Sequence, residues 1–132
     1  IIKSEEIEIN EEVTIRKLVD EFVESTDINV TLNISTNKYK LRPDIFITIY
    51  RTIKEALTNV AKHSNSKNAT ISLEYLDKKI KLSIRDCGVF KRQMKKGIGL
   101  QVMEERVEGL GGNIVFKNED GFKIILTIPT EV

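Results

Sequence analysis

The sequence predicts an α+β two-layer sandwich, a mixed and mostly antiparallel sheet with helices packed on one face. Three observations carry that expectation. Segments of strict apolar–polar alternation come in two pairs with short connections, the mark of hairpins. Segments with apolar residues at helical spacing are amphipathic, so each has one flank to bury. Strands that pair as hairpins while the helices gather elsewhere in the chain favour one covered face over the alternating layers of a parallel fold. With 132 residues, 40% of them apolar and 31% charged, the chain suffices for one domain with a real core.

Taken in order, residues 1–10 are acidic and short of strong structure, and read as a linker or an incoming strand, with the folded domain spanning 11–132. From Val13 to Thr26, Ile15, Leu18, Val19 and Phe22 recur at helical spacing among charges, so an amphipathic helix is expected. Ile28, Val30, Leu32 and Ile34 then alternate with polar residues as in a half-buried strand. Pro43 suits a first helical turn, and Phe46, Ile49, Ile53, Leu57 and Val60 form one stripe through about His63, the longest helix. After the loop Ser64–Asn68, the strands marked by Ile71/Leu73/Tyr75 and Ile80/Leu82/Ile84 meet tightly at Asp77-Lys78. Cys87 to Gly97 reads as polar, basic and flexible. Leu100, Met103, Val107 and Leu110 mark another helix, stopped by Gly111-Gly112. Ile114–Phe116 and Phe122–Ile128 close the chain as a second hairpin around Asn118–Gly121.

Composition narrows the function. A net charge of +1, from 21 basic and 20 acidic residues, offers no whole-domain attraction for nucleic acid or an anionic membrane. A single cysteine makes no internal disulfide, and no Cys/His cluster has metal-ligand spacing, which points to a reducing, cytoplasmic setting. There is no signal peptide and no apolar run of membrane length, so no direct membrane contact is expected. The first residue is Ile1, which suggests a fragment of a parent that is either membrane-anchored or a soluble sensor.

Three features do not fit a plain scaffold. In Lys78-Lys-Ile-Lys-Leu-Ser-Ile-Arg-Asp-Cys-Gly88 the buried phase of Ile80, Leu82 and Ile84 falls next on Asp86. Either the strand ends and Asp86 turns outward, or a carboxylate stands at the floor of a pocket, where burial requires a hydrogen-bonding partner; Gly88 would let a ligand approach the backbone. On the long helix, Glu55, Asn59 and Lys62 line up away from the apolar stripe, with His63 at the margin. That row is either a solvated face or a set of groups for a magnesium nucleotide, since acid and amide oxygens suit Mg²⁺ and a lysine suits phosphate. Finally, Gly97-Ile-Gly99-Leu100 opens a helix whose free N–H groups favour anions, behind the basic run Lys91, Arg92, Lys95 and Lys96.

In this order the motifs resemble the GHKL ATPase/kinase superfamily, and within it the catalytic ATP-binding domain of bacterial two-component sensor histidine kinases of the NarX/DesK type. Glu55-Ala-Leu-Thr-Asn59-Val-Ala-Lys62-His63 is similar to the N box, Asp86-Cys-Gly88 to the G1 box, and Gly97-Ile-Gly99-Leu100 with Met103-Glu-Glu-Arg106 to the G2 box. The resemblance covers nearly the whole chain and implies the Bergerat ATP-binding fold. It implies ATP and Mg²⁺ as cofactors, with Asn59 as metal ligand and Glu55 orienting or activating the attacking group. It further implies Lys62 on phosphate, His63 near base or ribose, Asp86 on the adenine amine and Gly88 beside the ring. Cys87–Lys96 would form a lid hinged at Gly97 and Gly99, mobile until nucleotide binds, with Leu100 following the hinge. The reaction implied is transfer of a phosphoryl group from ATP to a histidine on a separate dimerisation domain, through which a response regulator is served. Because His63 belongs to the N box, the isolated chain is not expected to phosphorylate itself.

Two positions depart from the family pattern: Phe90 stands where the G1 box usually has a second glycine, and Ile125 where a threonine near the adenine is common. Cys87 reads as a small filler residue. Two alternatives stay open, an anti-sigma-type serine kinase of the same superfamily and a docking domain that binds no nucleotide.

Overall fold

A computed structural model describes residues 10–36, 38–63, 66–86, 98–118 and 121–130. The expectations for the linker 1–9, for Cys87, Gly88, Phe90, the basic run and Gly97, and for the His63 side chain lie outside the described residues. The elements are α1 (Glu11–Ser25), β1 (Asn29–Ile34), α2 (Pro43–His63), β2 (Asn68–Tyr75), β3 (Lys79–Asp86), α3 (Ile98–Gly109), β4 (Asn113–Asn118) and β5 (Phe122–Pro129).

The first two helices start where local chemistry suits the free amides of a first turn. The Asn10 side chain accepts from Val13 N at 3.1 Å ahead of α1, and Glu11 and Glu12 place negative charge in that first turn. Pro43 opens α2 with Asp44 behind it. The end of α3 is a Schellman turn: Gly111 takes φ +78, and Gly112 N donates to Val107 O at 2.9 Å. A side chain at Gly112 would lie 2.4 Å from Thr127 O, so the helix end presses directly on the backbone of β5.

The sheet order is β1-β2-β3-β5-β4. Only β1 with β2 is parallel, joined through the long α2 crossover; the other three pairings are antiparallel. Both expected hairpins are present, the first closed at Asp77-Lys78 by Leu76 N donating to Lys79 O at 2.9 Å. In register, Leu32, Ile71, Ile84, Ile124 and Phe116 form one row across five strands, and Ile34, Leu73, Leu82, Leu126 and Ile114 the next. These rows meet Ile15, Val19, Ile49, Ile53, Leu57, Leu100 and Val107 of the helices in one core. Each such side chain, fully buried, stabilises by about 1.5–3 kcal/mol.

The buried flank of α2 is wider than its apolar stripe. Thr48, Thr52 and Ala56 are buried alongside Ile49 and Ile53. The two threonine hydroxyls donate to Asp44 O (2.9 Å) and Thr48 O (2.7 Å), four residues back. That internal bonding lets polar side chains enter a core, and it leaves α2 covered on two sides, by the sheet and by α3.

Candidate nucleotide-binding site

The residues expected from the sequence fall at the end of β3, on the second half of α2 and at the start of α3, and α2 packs against both of the other elements. Asp86 does not end the strand. It remains paired in register between Ala69 on β2 and Phe122 on β5, in phase with Ile80, Leu82 and Ile84, and is 0% exposed. The carboxylate therefore occupies the next row of an apolar ladder, with a small residue on one side and an aromatic ring on the other. Its Oδ2 atom is buried and accepts no hydrogen bond among the described residues, although the residue does have other interactions. Burial of a carboxylate at this position is costly where an isoleucine would be welcome.

The row on α2 is not a plain solvent face. Because α3 covers a second flank of the helix, Glu55 and Asn59 are half-buried at the margin of the packed surface, while Lys62 is exposed beyond them. The Glu55 carboxylate packs against the first turn of α3: a Cβ built at Gly99 would sit 1.8 Å from Glu55 Oε1 and 2.3 Å from its Cδ. Glycine is needed at 99 for this close approach. Next to it, Leu100 is 1% exposed and belongs to the core cluster, so its side chain anchors the helix start and only its backbone remains for a ligand. The sequence reading missed Ala69 and Phe122, which flank Asp86; the signal lay in the strand register, and that depends on pairings made in three dimensions.

Ile125 has a simpler explanation than an altered adenine contact. Its neighbours in register are Ser83 and Val115, on the sheet face away from the helices, whereas Phe122 and Ile124 share the face of Asp86. No group of three or more His, Cys, Asp or Glu among the described residues could hold a metal by itself. A cavity of about 540 Å³ lined by Asn10, Glu11, Lys38, Tyr39 and Tyr75 lies at the other end of the strands, where Tyr75 ends β2, and shares no residue with this site.

The chain is similar to known proteins along most of its length. Residues 45–132 match the family described as histidine kinase-, DNA gyrase B-, and HSP90-like ATPase. Over 118 residues the chain is 30% identical to sensor histidine kinase YxjM of Bacillus subtilis strain 168, covering 87% of this chain and 29% of that protein. Over 80 residues it is 38% identical to sensor histidine kinase DesK of the same organism, covering 58% of this chain and 22% of that protein. The chain thus spans less than a third of either curated relative. Among solved structures, the catalytic domain of histidine kinase ThkA superposes with a TM-score of 0.75 at 19% identity, covering 92% of this chain and 94% of that one. The histidine kinase domain of the Erythrobacter litoralis EL346 blue-light activated kinase gives 0.72 at 15% identity, covering 92% and 62%. At those identities the structures show the fold alone, and they agree with the three described helices on a five-stranded mixed sheet.

Proposed function

This chain belongs to the histidine kinase-, DNA gyrase B-, and HSP90-like ATPase family, in the form of the ATP-binding catalytic domain of sensor histidine kinases, and from that premise we propose that it holds ATP-Mg²⁺ between α2, β3 and α3 for transfer to a histidine of a separate domain. The observation that carries the reading is the seat of Glu55, whose carboxylate lies against a helix start where any side chain at position 99 would collide with it. That contact puts an acid at a helix start, one turn along α2 from the half-buried amide of Asn59. An N-terminus of that kind favours phosphate.

The residues fit a bound magnesium nucleotide. Asn59 offers a hard oxygen and would share Mg²⁺ with phosphate and water, the partners this ion prefers. When bound, the ion neutralises charge on the phosphate oxygens. Lys62, exposed at the rim, reaches the phosphates as a point charge, and the backbone of Gly99 and Leu100 supplies donors. Asp86 accepts from the adenine amine in the apolar row between Ala69 and Phe122, with Gly88 giving room to the ring and His63 beside base or ribose. Glu55, held in one place by Gly99, orients the attacking group. Catalysis here is positioning and charge neutralisation rather than covalent chemistry.

The acceptor is a histidine on a dimerisation domain, which in turn serves a response regulator. Phosphotransfer distinguishes this from the related serine kinases. The chain, incubated with ATP-Mg²⁺ and a supplied phosphoacceptor helix pair of a NarX/DesK-type kinase, is expected to yield acid-labile phosphohistidine, and to leave a protein serine substrate unlabelled. Labelled serine, or acceptor left unlabelled while ATP binds, contradicts the reading.

A further inference from the structure

Three cations stand side by side on the sheet face that none of the described helices covers. Arg85 of β3 is the register partner of Lys123 of β5, and Lys123 is that of Lys117 of β4. All three alternate away from the core, since Asp86, Phe122 and Ile124 beside Arg85 and Lys123 are buried and Phe116 beside Lys117 packs on the core. Adjacent strands lie about 4.8 Å apart, and like charges placed directly opposite destabilise a sheet. The row continues onto β2 at uncharged Thr70. Among the described residues none of the three cations enters an ion pair. Lys81, on the same face, has the ordinary arrangement, with Glu74 directly across from it. The next row carries Ser83, Ile125 and Val115, and Val115 is 41% exposed.

Among the described residues no acid stands in this row, and a sequence that breaks a local rule tends to do so where function requires it. We propose that this open face docks an acidic segment of a protein partner, with carboxylates over Arg85, Lys123 and Lys117 and an apolar side chain over Ile125 and Val115. Charge complementarity names the acid, and the adjoining apolar row favours a protein over a polyanion. A phosphate backbone has no use for Ile125 and Val115, and a net charge of +1 gives no broad field for nucleic acid or lipid. The surface is separate from the nucleotide site, because Arg85 and Asp86 point to opposite faces of one strand, and the proposal stands whether or not nucleotide binds.

The test is NMR titration of the whole chain with a short alternating Glu–Leu peptide, against a Lys–Leu peptide of equal length, a DNA oligonucleotide and phosphatidylglycerol vesicles. The Glu–Leu peptide is expected to shift the amides of Arg85, Val115, Lys117, Lys123 and Ile125, with and without saturating ATP analogue, and to weaken as salt screens the contact. Lys123→Glu is expected to weaken it about tenfold or more, while the unliganded variant melts a few degrees higher because two like-charge neighbours become opposite ones. Absence of peptide binding at low salt, shifts confined to other faces, or tighter binding of oligonucleotide or vesicles overturns the proposal. So does a Lys123→Glu variant that melts higher yet binds the peptide as before.

Discussion

At the scale of single residues, two acids and one glycine carry the account. Asp86 is legible in the sequence because it breaks an alternation, and the ladder shows why the break matters: its row neighbours are Ala69 and Phe122. Asp86→Asn keeps the volume and removes the charge, so it is expected to weaken ATP binding and to reduce discrimination against GTP while the fold persists; equal affinities of both proteins for both nucleotides, by calorimetry, would refute the adenine role. Gly99 offers a sharper experiment. Gly99→Ala forces Glu55 out of its seat, because the new Cβ would overlap Oε1 at 1.8 Å. The displaced atom is the tip of a flexible side chain, so stability is expected to move by under ~1 kcal/mol, while phosphotransfer falls about tenfold or more with the loss of positioning. In a Glu55→Ala background the same substitution should change the rate little, and a double-mutant cycle reads the difference. The contact was not legible in the sequence: a glycine pair before a helix announces a tight turn, but not which side chain of another helix the missing Cβ admits.

Among the elements, strands were easier to read than helix faces. A strand shows its buried face every second residue, so both hairpins and the turn at Asp77-Lys78 follow from alternation alone. Placing β5 between β3 and β4 depends on which edge of one hairpin the other finds, and no local signal encodes that. On α2 the five large apolar residues mark one flank, and the second flank of Thr48, Thr52 and Ala56 is hidden by its small or hydroxylated members. Consequently Glu55 and Asn59, which on a helical wheel face away from the apolar stripe, are half-buried beside α3. The far end of the strands offers a test of packing rather than chemistry. Tyr75 OH donates to Glu11 Oε1 at 3.1 Å, while Leu41 N donates to Glu11 Oε2 at 3.0 Å, tying α1, β2 and the approach to α2 together. Burial raises the Tyr75 phenol above the ordinary value of 10.0, with the Glu11 carboxylate adding to the effect. A raised pKa means that the folded state holds this proton more tightly than the unfolded chain. The stabilisation is therefore complete below pH 10.0 and is lost as pH climbs beyond it. Tyr75→Phe should cost about 1 kcal/mol at neutral pH and flatten the alkaline limb of a melting-temperature profile; an unchanged limb would show that the phenol does not control it.

For the whole molecule, the division of labour follows from the sheet. One face is covered by helices and holds the core, with Asp86 at one end of its rows; the other is covered by none of the described helices and carries the row of Arg85, Lys123 and Lys117. The fold class was legible because patterning fixes which faces are apolar, and two-layer packing is what such faces allow. The chain has a single histidine, His63 on α2, within the motif assigned to nucleotide, so the chain alone is expected to bind ATP without becoming a phosphohistidine protein; radiolabel retained on the isolated chain as phosphohistidine would contradict this. The most direct test of the central claim is calorimetric titration of a non-hydrolysable ATP analogue into the chain with and without Mg²⁺, repeated on Asn59→Ala. The account predicts Mg²⁺-dependent binding that Asn59→Ala abolishes while the unliganded melting temperature shifts little, since the substituted side chain is only half-buried on a helix margin. Binding that ignores Mg²⁺ and survives Asn59→Ala, or no binding in the intact chain, would contradict it.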